Sequence, residues 1–261
     1  MSYSDQDIED ILSDSLEFLG GKPVIDDSII TYGPLALTLA PKANTLLADH
    51  LFSPALFLAE RIERGLLDAH GKTVVELGSG SALPSLLLST QPKPPSLVVL
   101  TDYPDDGILG NVKKNMERNS ASVTPGCQVK CAGYDWGTDP SELLGLLGQQ
   151  DTPGYDVVIL SDLLHFFNSH DALVSSIQML LAKNKDARTF VGAGNYTHAE
   201  VCDNFLQKAK KAGLHFEEIL EADNQRPWQG TLQVSNLDKE SLTLRKNNCR
   251  YWVGRWSDDL L

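Results

Sequence analysis

Short continuous apolar runs alternate along this chain with longer stretches in which apolar residues recur at helical spacing. Thr73-Val-Val-Glu-Leu77, Leu97-Val-Val-Leu100, Cys127-Gln-Val-Lys-Cys-Ala132, Tyr155-Asp-Val-Val-Ile-Leu160, Thr189 to Gly194 and His215 to Leu220 are each short and set off by turn-forming residues. Such runs predict buried strands. Helical periodicity fills the intervals: Pro84 to Thr90, Ile108 to Asn119, His170 to Leu181 and His198 to Ala212, with a further helix from Pro54 to about Leu67 before the first strand. Proline suits a first helical turn, because its missing N–H would be unpaired there anyway. Alternation of this kind predicts an α/β fold: a Rossmann-like, seven-stranded, mostly parallel sheet with helices on both faces. The tail breaks the rule. Thr231-Leu-Gln-Val234, Leu242-Thr-Leu-Arg245 and Cys249 to Val253 follow one another as extended segments without a helix, as an antiparallel ending would. At the other end, Asp5 to Leu19 predicts a short amphipathic helix. Ile25 to Leu39 predicts a covering hairpin ended by Pro41. Residues 1–45 are therefore expected to form an extension of a domain spanning 46–261.

Composition narrows the class. The chain has 261 residues, 42% of them hydrophobic, with no linker or composition shift dividing it; one large domain is expected. No apolar run reaches the roughly 18 residues of a membrane span, and no secretory pattern stands out, so a soluble, cytoplasmic protein is expected. The four cysteines, at 127, 131, 202 and 249, lack a C-x-x-C spacing. Reduced thiols are expected, and no metal site. A net charge of −13 opposes nonspecific nucleic-acid binding, which needs a basic footprint. It is compatible with a basic protein partner.

Candidate chemistry concentrates at the turn after the first strand, Glu76-Leu-Gly-Ser-Gly-Ser-Ala-Leu-Pro84. Gly78 and Gly80 remove Cβ atoms where the backbone must turn and let a ligand lie against it. A phosphate-cradling loop would end in Gly-Lys-Ser/Thr, and this one has no lysine. A dinucleotide fingerprint would place glycine at 83, where the chain has leucine, so the pyrophosphate's approach is hindered. S-adenosylmethionine needs no phosphate cradle. Its ammonium group could meet Glu76, a carboxylate costly to bury alone, and its ribose hydroxyls could bond Asp102, about twenty residues past the glycines. The indole of Trp136 could stack on adenine. Asp162 and His165 follow the fourth strand, on the edge where open α/β sheets bind ligands, and are the catalytic candidates. Each has a plain structural alternative: Asp102 as a helix cap, Trp136 as core, Asp162 as a backbone support, His165 as packing.

With those features in hand, the chain resembles a class I, seven-β-strand S-adenosylmethionine-dependent methyltransferase from roughly Leu46 onward. Glu76 to Pro84, Tyr134-Asp-Trp-Gly137, Ser161-Asp-Leu-Leu-His165, Thr101-Asp-Tyr-Pro-Asp105 and Asn111 to Asn119 are similar to the fungal nicotinamide N-methyltransferase-like branch, which includes elongation factor 1-alpha N-terminal and lysine methyltransferases. The resemblance implies that Gly78, Ser79 and Gly80 line the methionine and ribose portion of the cofactor. It further implies that Asp102 and Tyr103 serve the ribose side, that Trp136 contacts adenine, and that Ser161 forms a nearby wall. Two positions depart from the pattern: Phe52 stands where many relatives carry a tryptophan lid, and His165 where lysine enzymes often show tyrosine. The expected activity is methylation of a protein lysine or N-terminal amine, on a translation-related substrate. A small-molecule, nicotinamide-type N-methyltransferase and a non-catalytic cofactor-binding subunit are the competing expectations.

Overall fold

In the computed structural model, residues 29–41, 47–148, 154–220 and 227–261 are described; the amphipathic helix expected at Asp5 to Leu19 lies outside them. The apolar runs form one seven-stranded sheet: β3 (Thr73–Leu77), β4 (Leu97–Asp102), β5 (Gln128–Gly133), β6 (Val157–Ser161), β7 (Arg188–Gly194), β8 (Leu214–Glu218) and β9 (Cys249–Trp256). Its spatial order is β5-β4-β3-β6-β7-β9-β8. The first five strands run parallel, and β9 inserts antiparallel between β7 and β8. The central strand, β3, pairs with β4 on one side and β6 on the other, and all five of its residues are buried. A strand buried on both faces reads as a continuous apolar run rather than an alternating one, which is why β3, β4 and β6 stood out in the sequence. The order reverses direction at β3, and that switch opens a crevice beyond the carboxyl ends of the strands.

The crossover helices are α2 (Leu83–Ser89), α3 (Ile108–Arg118), α4 (Ser141–Gly145), α5 (His170–Leu180) and α6 (Ala199–Lys211). Preceding them, α1 (Ser53–Glu63) has Pro in its first turn and is buried from Ser53 to Ile62. It packs on α2 and β7 and is covered in turn by α7 (Lys239–Asn247). Two hydrophobic clusters, one on each face of the sheet, make up the core.

The hairpin expected near the start is present as β1 (Ile30–Tyr32) and β2 (Leu35–Leu37), turning at Gly33 with a φ of +51°. Tyr32, Leu35 and Leu37 enter the core. The polar edge of β2 is satisfied by side chains from α3 at i, i+4 and i+8. Asn119 Oδ1 accepts from the Ala36 amide (2.8 Å) while Asn119 Nδ2 donates to the Ala36 carbonyl (2.9 Å). Asn115 brackets Thr38 in the same way at 2.9 and 2.8 Å, and Asn111 Nδ2 donates to the Thr38 carbonyl at 2.8 Å. A helix face thus takes the place of a strand and pairs the backbone groups of Ala36 and Thr38.

The tail requires a correction. Leu242 to Arg245 is not extended; it lies in α7, and only Cys249–Trp256 forms a strand in this region. Asp238 caps the helix by accepting the Ser241 amide at 2.8 Å, and the buried positions are Leu242, Arg245 and Lys246. Burial at i, i+3 and i+4 is helical, so tertiary packing and the cap override the local Leu-Thr-Leu-Arg alternation. Thr231 to Val234 is likewise no sheet strand: it runs beside β1, held by Gly33 N–H to the Gln233 carbonyl (2.9 Å) and a single bridge from Tyr32 to Val234.

One buried ion pair binds α7 to α1: Lys246 Nζ lies 2.9 Å from Glu60 Oε1, with both side chains 1% exposed. Glu60 also accepts the Gln229 amide at 2.6 Å. Removing one partner from such a pair strands the other charge in the core. Lys246→Met is therefore expected to destabilise the fold by about 3–5 kcal/mol. Adding Glu60→Gln in the same chain should recover a measurable part of that loss. Urea unfolding of the single and double variants checks both expectations.

Candidate functional site

At the carboxyl ends of β3, β4 and β6 lies an open cleft with an interior of roughly 210 Å³. Its walls include Phe52, Gly78, Ser79, Gly80, Asp102, Tyr103, Trp136, Ser161, Asp162 and His165, so ten of the eleven residues singled out from the sequence share one cavity. Glu76 is the exception: it is fully buried and stays off the cavity wall.

The glycine turn is fastened to β4. Gly80 N–H donates to Asp102 Oδ2 at 2.7 Å, and Tyr103 N–H donates to Asp102 Oδ1 at 2.8 Å. Ser79 N–H donates to the Thr101 carbonyl at 2.8 Å, while Thr101 Oγ1–H donates to the Glu76 carbonyl at 2.7 Å. Both glycines have positive φ, +58° at Gly78 and +53° at Gly80, but their surroundings differ. A Cβ on Gly78 would come within 2.8 Å of Leu163 and 3.1 Å of Trp136. One on Gly80 would meet nothing within 4 Å. Gly78 is thus required by packing, whereas Gly80 keeps clear the space in which a ligand can lie.

Burial raises the Asp102 carboxyl above its usual range, against the opposing pull of the two amides. Each of its oxygens retains a further lone pair for a hydroxyl donor. Glu76 is pushed up to about 8 by burial, with Ser85 offsetting part of that rise and the nearby Asp102 charge adding to it. Neither Glu76 oxygen closes a hydrogen bond of normal geometry.

At the opposite wall, Asp162 sits just past β6 with a φ of +67°, a conformation uncommon outside glycine. Its amide donates to the Gly192 carbonyl at 2.8 Å, and its Oδ1 accepts the Gly194 amide at 3.2 Å. The Tyr196 hydroxyl donates to Oδ2. Burial pushes Asp162 up to about 6, with Tyr196, the Gly194 amide and Arg245 pulling the other way. Backbone strain at a cavity wall, held by three fixed partners, is how proteins aim a functional side chain. His165 is 7% exposed, and its ring lies 4.1 Å from that of Phe166, centroid to centroid. Burial, and secondarily the charge of His170, pushes His165 down to about 3. Its ring stays neutral near pH 7; neither nitrogen closes a hydrogen bond of normal geometry, and the nearby Asp162 backbone only partly offsets the effect of burial. His170, by contrast, is fully engaged: Nε2–H donates to the Leu164 carbonyl (2.7 Å) and Nδ1 accepts from Asn204 (2.8 Å).

Trp136 meets Phe166 edge to face at 5.5 Å. The loop that carries it is pinned by Gly137 N–H donating to Ser176 Oγ at 2.8 Å. Phe52 stands 6.3 Å from both His165 and Tyr196. Sequence reasoning missed Tyr196, Phe166 and Arg245. Tyr196 was the one within reach, since it follows the carboxyl end of β7 on the ligand-binding edge of the sheet. Arg245 arrives from α7, far along the chain and disguised as part of a strand.

The charge of the cleft is one-sided. Asp102, Asp135 and Asp162 line it, and among the described residues no lysine or arginine does. A pyrophosphate would meet none of those cations there, whereas a sulfonium or ammonium group would meet carboxylates and aromatic faces. Open space over Gly80 and the unsatisfied Ser161 Oγ and His165 nitrogens also fit a polar, cationic nucleoside. Among the described residues there is no metal-binding cluster and no helix long and apolar enough to cross a membrane.

Comparison with known proteins agrees with this geometry. Residues 37–212 match the family described as lysine methyltransferase. Protein N-terminal and lysine N-methyltransferase EFM7 of Yarrowia lipolytica is 33% identical over 208 residues, covering 72% of this chain and 73% of that protein. The proteins of the same name from Gibberella zeae and Schizosaccharomyces pombe are each 29% identical, covering 84% and 74% of this chain and 86% and 75% of their own lengths. A chain of the Haloferax volcanii complex between the Trm112 methyltransferase activator and a methyltransferase superposes with a TM-score of 0.50. It is 15% identical and covers 78% of this chain and 90% of its own; a likeness at that identity shows the fold.

The two glycines give a direct test of the turn. Both Gly78→Ala and Gly80→Ala should lose about 1–2 kcal/mol for the positive φ. Only Gly78→Ala should also displace the Trp136 indole, read as a change in tryptophan emission that Gly80→Ala does not produce.

Proposed function

The chain belongs to the lysine methyltransferase family and is a methyltransferase; we propose that it transfers the methyl group of S-adenosylmethionine to a protein amine, either a lysine side chain or an N-terminal amino group. The observation that carries this reading is the cleft lined by Asp102 and Asp162 and, among the described residues, by no lysine or arginine, in a chain whose relatives are named for that activity. We further assign the acceptor to a basic, translation-related protein of the elongation factor 1-alpha kind. That choice is supported by the resemblance of the Glu76 to Pro84 and Ser161 to His165 motifs to that branch and by the net charge of −13.

S-adenosylmethionine, when bound, supplies an electrophilic methyl group on a sulfonium, which an amine can take in one in-line displacement. The residues of this chain position the reactants and manage the proton. Asp102 holds the sugar edge, the Gly78 to Gly80 turn accommodates the tail, and Trp136 covers the base. An incoming amine must lose a proton before it can attack. Asp162, held by Tyr196 and the Gly194 amide, orients that amine and takes the proton. Ser161 and His165, both unsatisfied within the fold, accept hydrogen bonds from the amine. His165 does so as a neutral ring; it is no acid near pH 7. Phe52, Phe166 and Trp136 shield the reacting atoms from water, which strengthens each of these electrostatic contacts.

Incubation of the purified protein with radiolabelled S-adenosylmethionine and cell lysate should label a protein band. A labelled small metabolite would favour the nicotinamide-type alternative, and no label at all would oppose catalysis. Asp162→Asn should lower turnover by about 10²–10⁴-fold with little change in affinity for S-adenosylhomocysteine. Because ionised Asp162 is the active form and titrates near 6, activity should fall as pH drops through that value. The charged groups around it include Arg245, and Tyr196 donates to its ionised form. Removing that donor in Tyr196→Phe should shift the acid limb of the pH profile upward by about one to two units, since a hydrogen bond to a charged group is worth about 1.5–3 kcal/mol.

A further inference from the structure

Phe52 is the aromatic wall of the cleft that comes from outside the crossover units, and its placement depends on contacts made by its two neighbours. Arg245 reaches both of them. From α7, Arg245 Nε–H donates to Ser53 Oγ at 3.1 Å, and its Nη2 donates to the Leu51 carbonyl. Arg245 is 8% exposed, and its guanidinium is within Coulombic reach of Asp162 and Tyr196. Its own helix cannot drift: the next residue, Lys246, is the buried partner of Glu60 on α1, and Cys249 Sγ–H donates to the Arg245 carbonyl at 3.3 Å. A planar fork with several donors can bridge two acceptors that flank one residue, which a lysine ammonium on a flexible stem does poorly.

We propose that Arg245 is a positioning residue: it brackets Phe52 through Leu51 and Ser53, and holds that wall in register with Asp162 and Tyr196. Arg245 does not line the cleft, so it touches neither reactant. It sets the distance between the aromatic wall and the carboxylate and so fixes how the cleft closes around an amine. Ser53 is both the first residue of α1 and a clamp partner, which links the start of that helix to the site. The role in closure rests on the reading of this cleft as the methyl-transfer site; the bracketing of Phe52 does not.

The test separates the two. Protein labelled with 4-fluorophenylalanine is observed by fluorine NMR without ligand, the Phe52 resonance being assigned by its loss in Phe52→Leu. Arg245→Lys keeps the charge but loses the bridge, and Ser53→Ala removes one of its two ends. In both variants the Phe52 line should shift and broaden while unfolding stays cooperative. The dissociation constant for S-adenosylhomocysteine, measured by calorimetry, should rise about tenfold in Arg245→Lys and less in Ser53→Ala, in keeping with the loss of one to two hydrogen bonds. An unchanged Phe52 resonance in folded Arg245→Lys overturns the proposal. If Arg245→Lys fails to fold, the same observation on Ser53→Ala decides it. If the wild-type protein binds no S-adenosylhomocysteine, the functional reading fails instead, and the resonance still reports on the clamp.

Discussion

The site depends on one carboxylate that accepts two backbone amides. Asp102 ends β4, and by taking the N–H of Gly80 at 2.7 Å and of Tyr103 at 2.8 Å it ties the turn after β3 to the turn after β4. The turn after β3 carries positive φ at Gly78, Gly80 and Ala82, and the tie to Asp102 adds to the Ser79 and Thr101 bonds that hold it in one shape. Parallel pairing of β3 with β4 brings the two strand ends side by side, and the charge-assisted bonds fix what lies beyond them. The same carboxylate faces the cleft, so a ligand hydroxyl bound there meets an acceptor whose position is already fixed.

The opposite wall follows the same principle with different parts. Asp162 is held by Gly194 at the end of the neighbouring strand β7 and by Tyr196 just beyond it, and its φ is positive. Two carboxylates, both raised by burial, face a space lined, among the described residues, by no lysine or arginine. Leaving them unneutralised costs stability. A cationic ligand would relieve that cost, which ties the electrostatics of the cleft to its selectivity. The aromatic walls add cation–π attraction and exclude water.

Polar groups also organise the shell around the site. Glu60 and Glu63 of α1 receive the segment 229–232: Glu60 takes the Gln229 amide, and Glu63 takes the amides of Thr231 and Leu232. Asn111, Asn115 and Asn119 hold β2, and Lys246 docks α7 on α1. These contacts span 73 to 186 residues of sequence separation. They join the first and last parts of the described chain to the sheet and thereby bring Phe52 to the cleft and Arg245 behind it.

What the sequence determined by itself is the part written in local periodicity and in motifs at strand ends. Buried parallel strands must be continuously apolar, a tight turn requires glycine at positive φ, and a carboxylate at the end of a parallel strand falls on the ligand edge. For those reasons the six βα-type strands, the Gly78 to Gly80 turn, Asp102, Trp136 and Asp162 could be picked out in advance, and the cleft gathers them. Tertiary structure alone decided the rest. It made Leu242 to Arg245 helical, because burial of Leu242, Arg245 and Lys246 against α1 outweighs a two-residue alternation. It kept Glu76 off the cavity wall despite its place in the motif, and it brought Tyr196 and Arg245 to Asp162. Hydrogen bonds between residues far apart in the chain leave no period in the sequence; they exist only once the sheet has set its strand ends side by side.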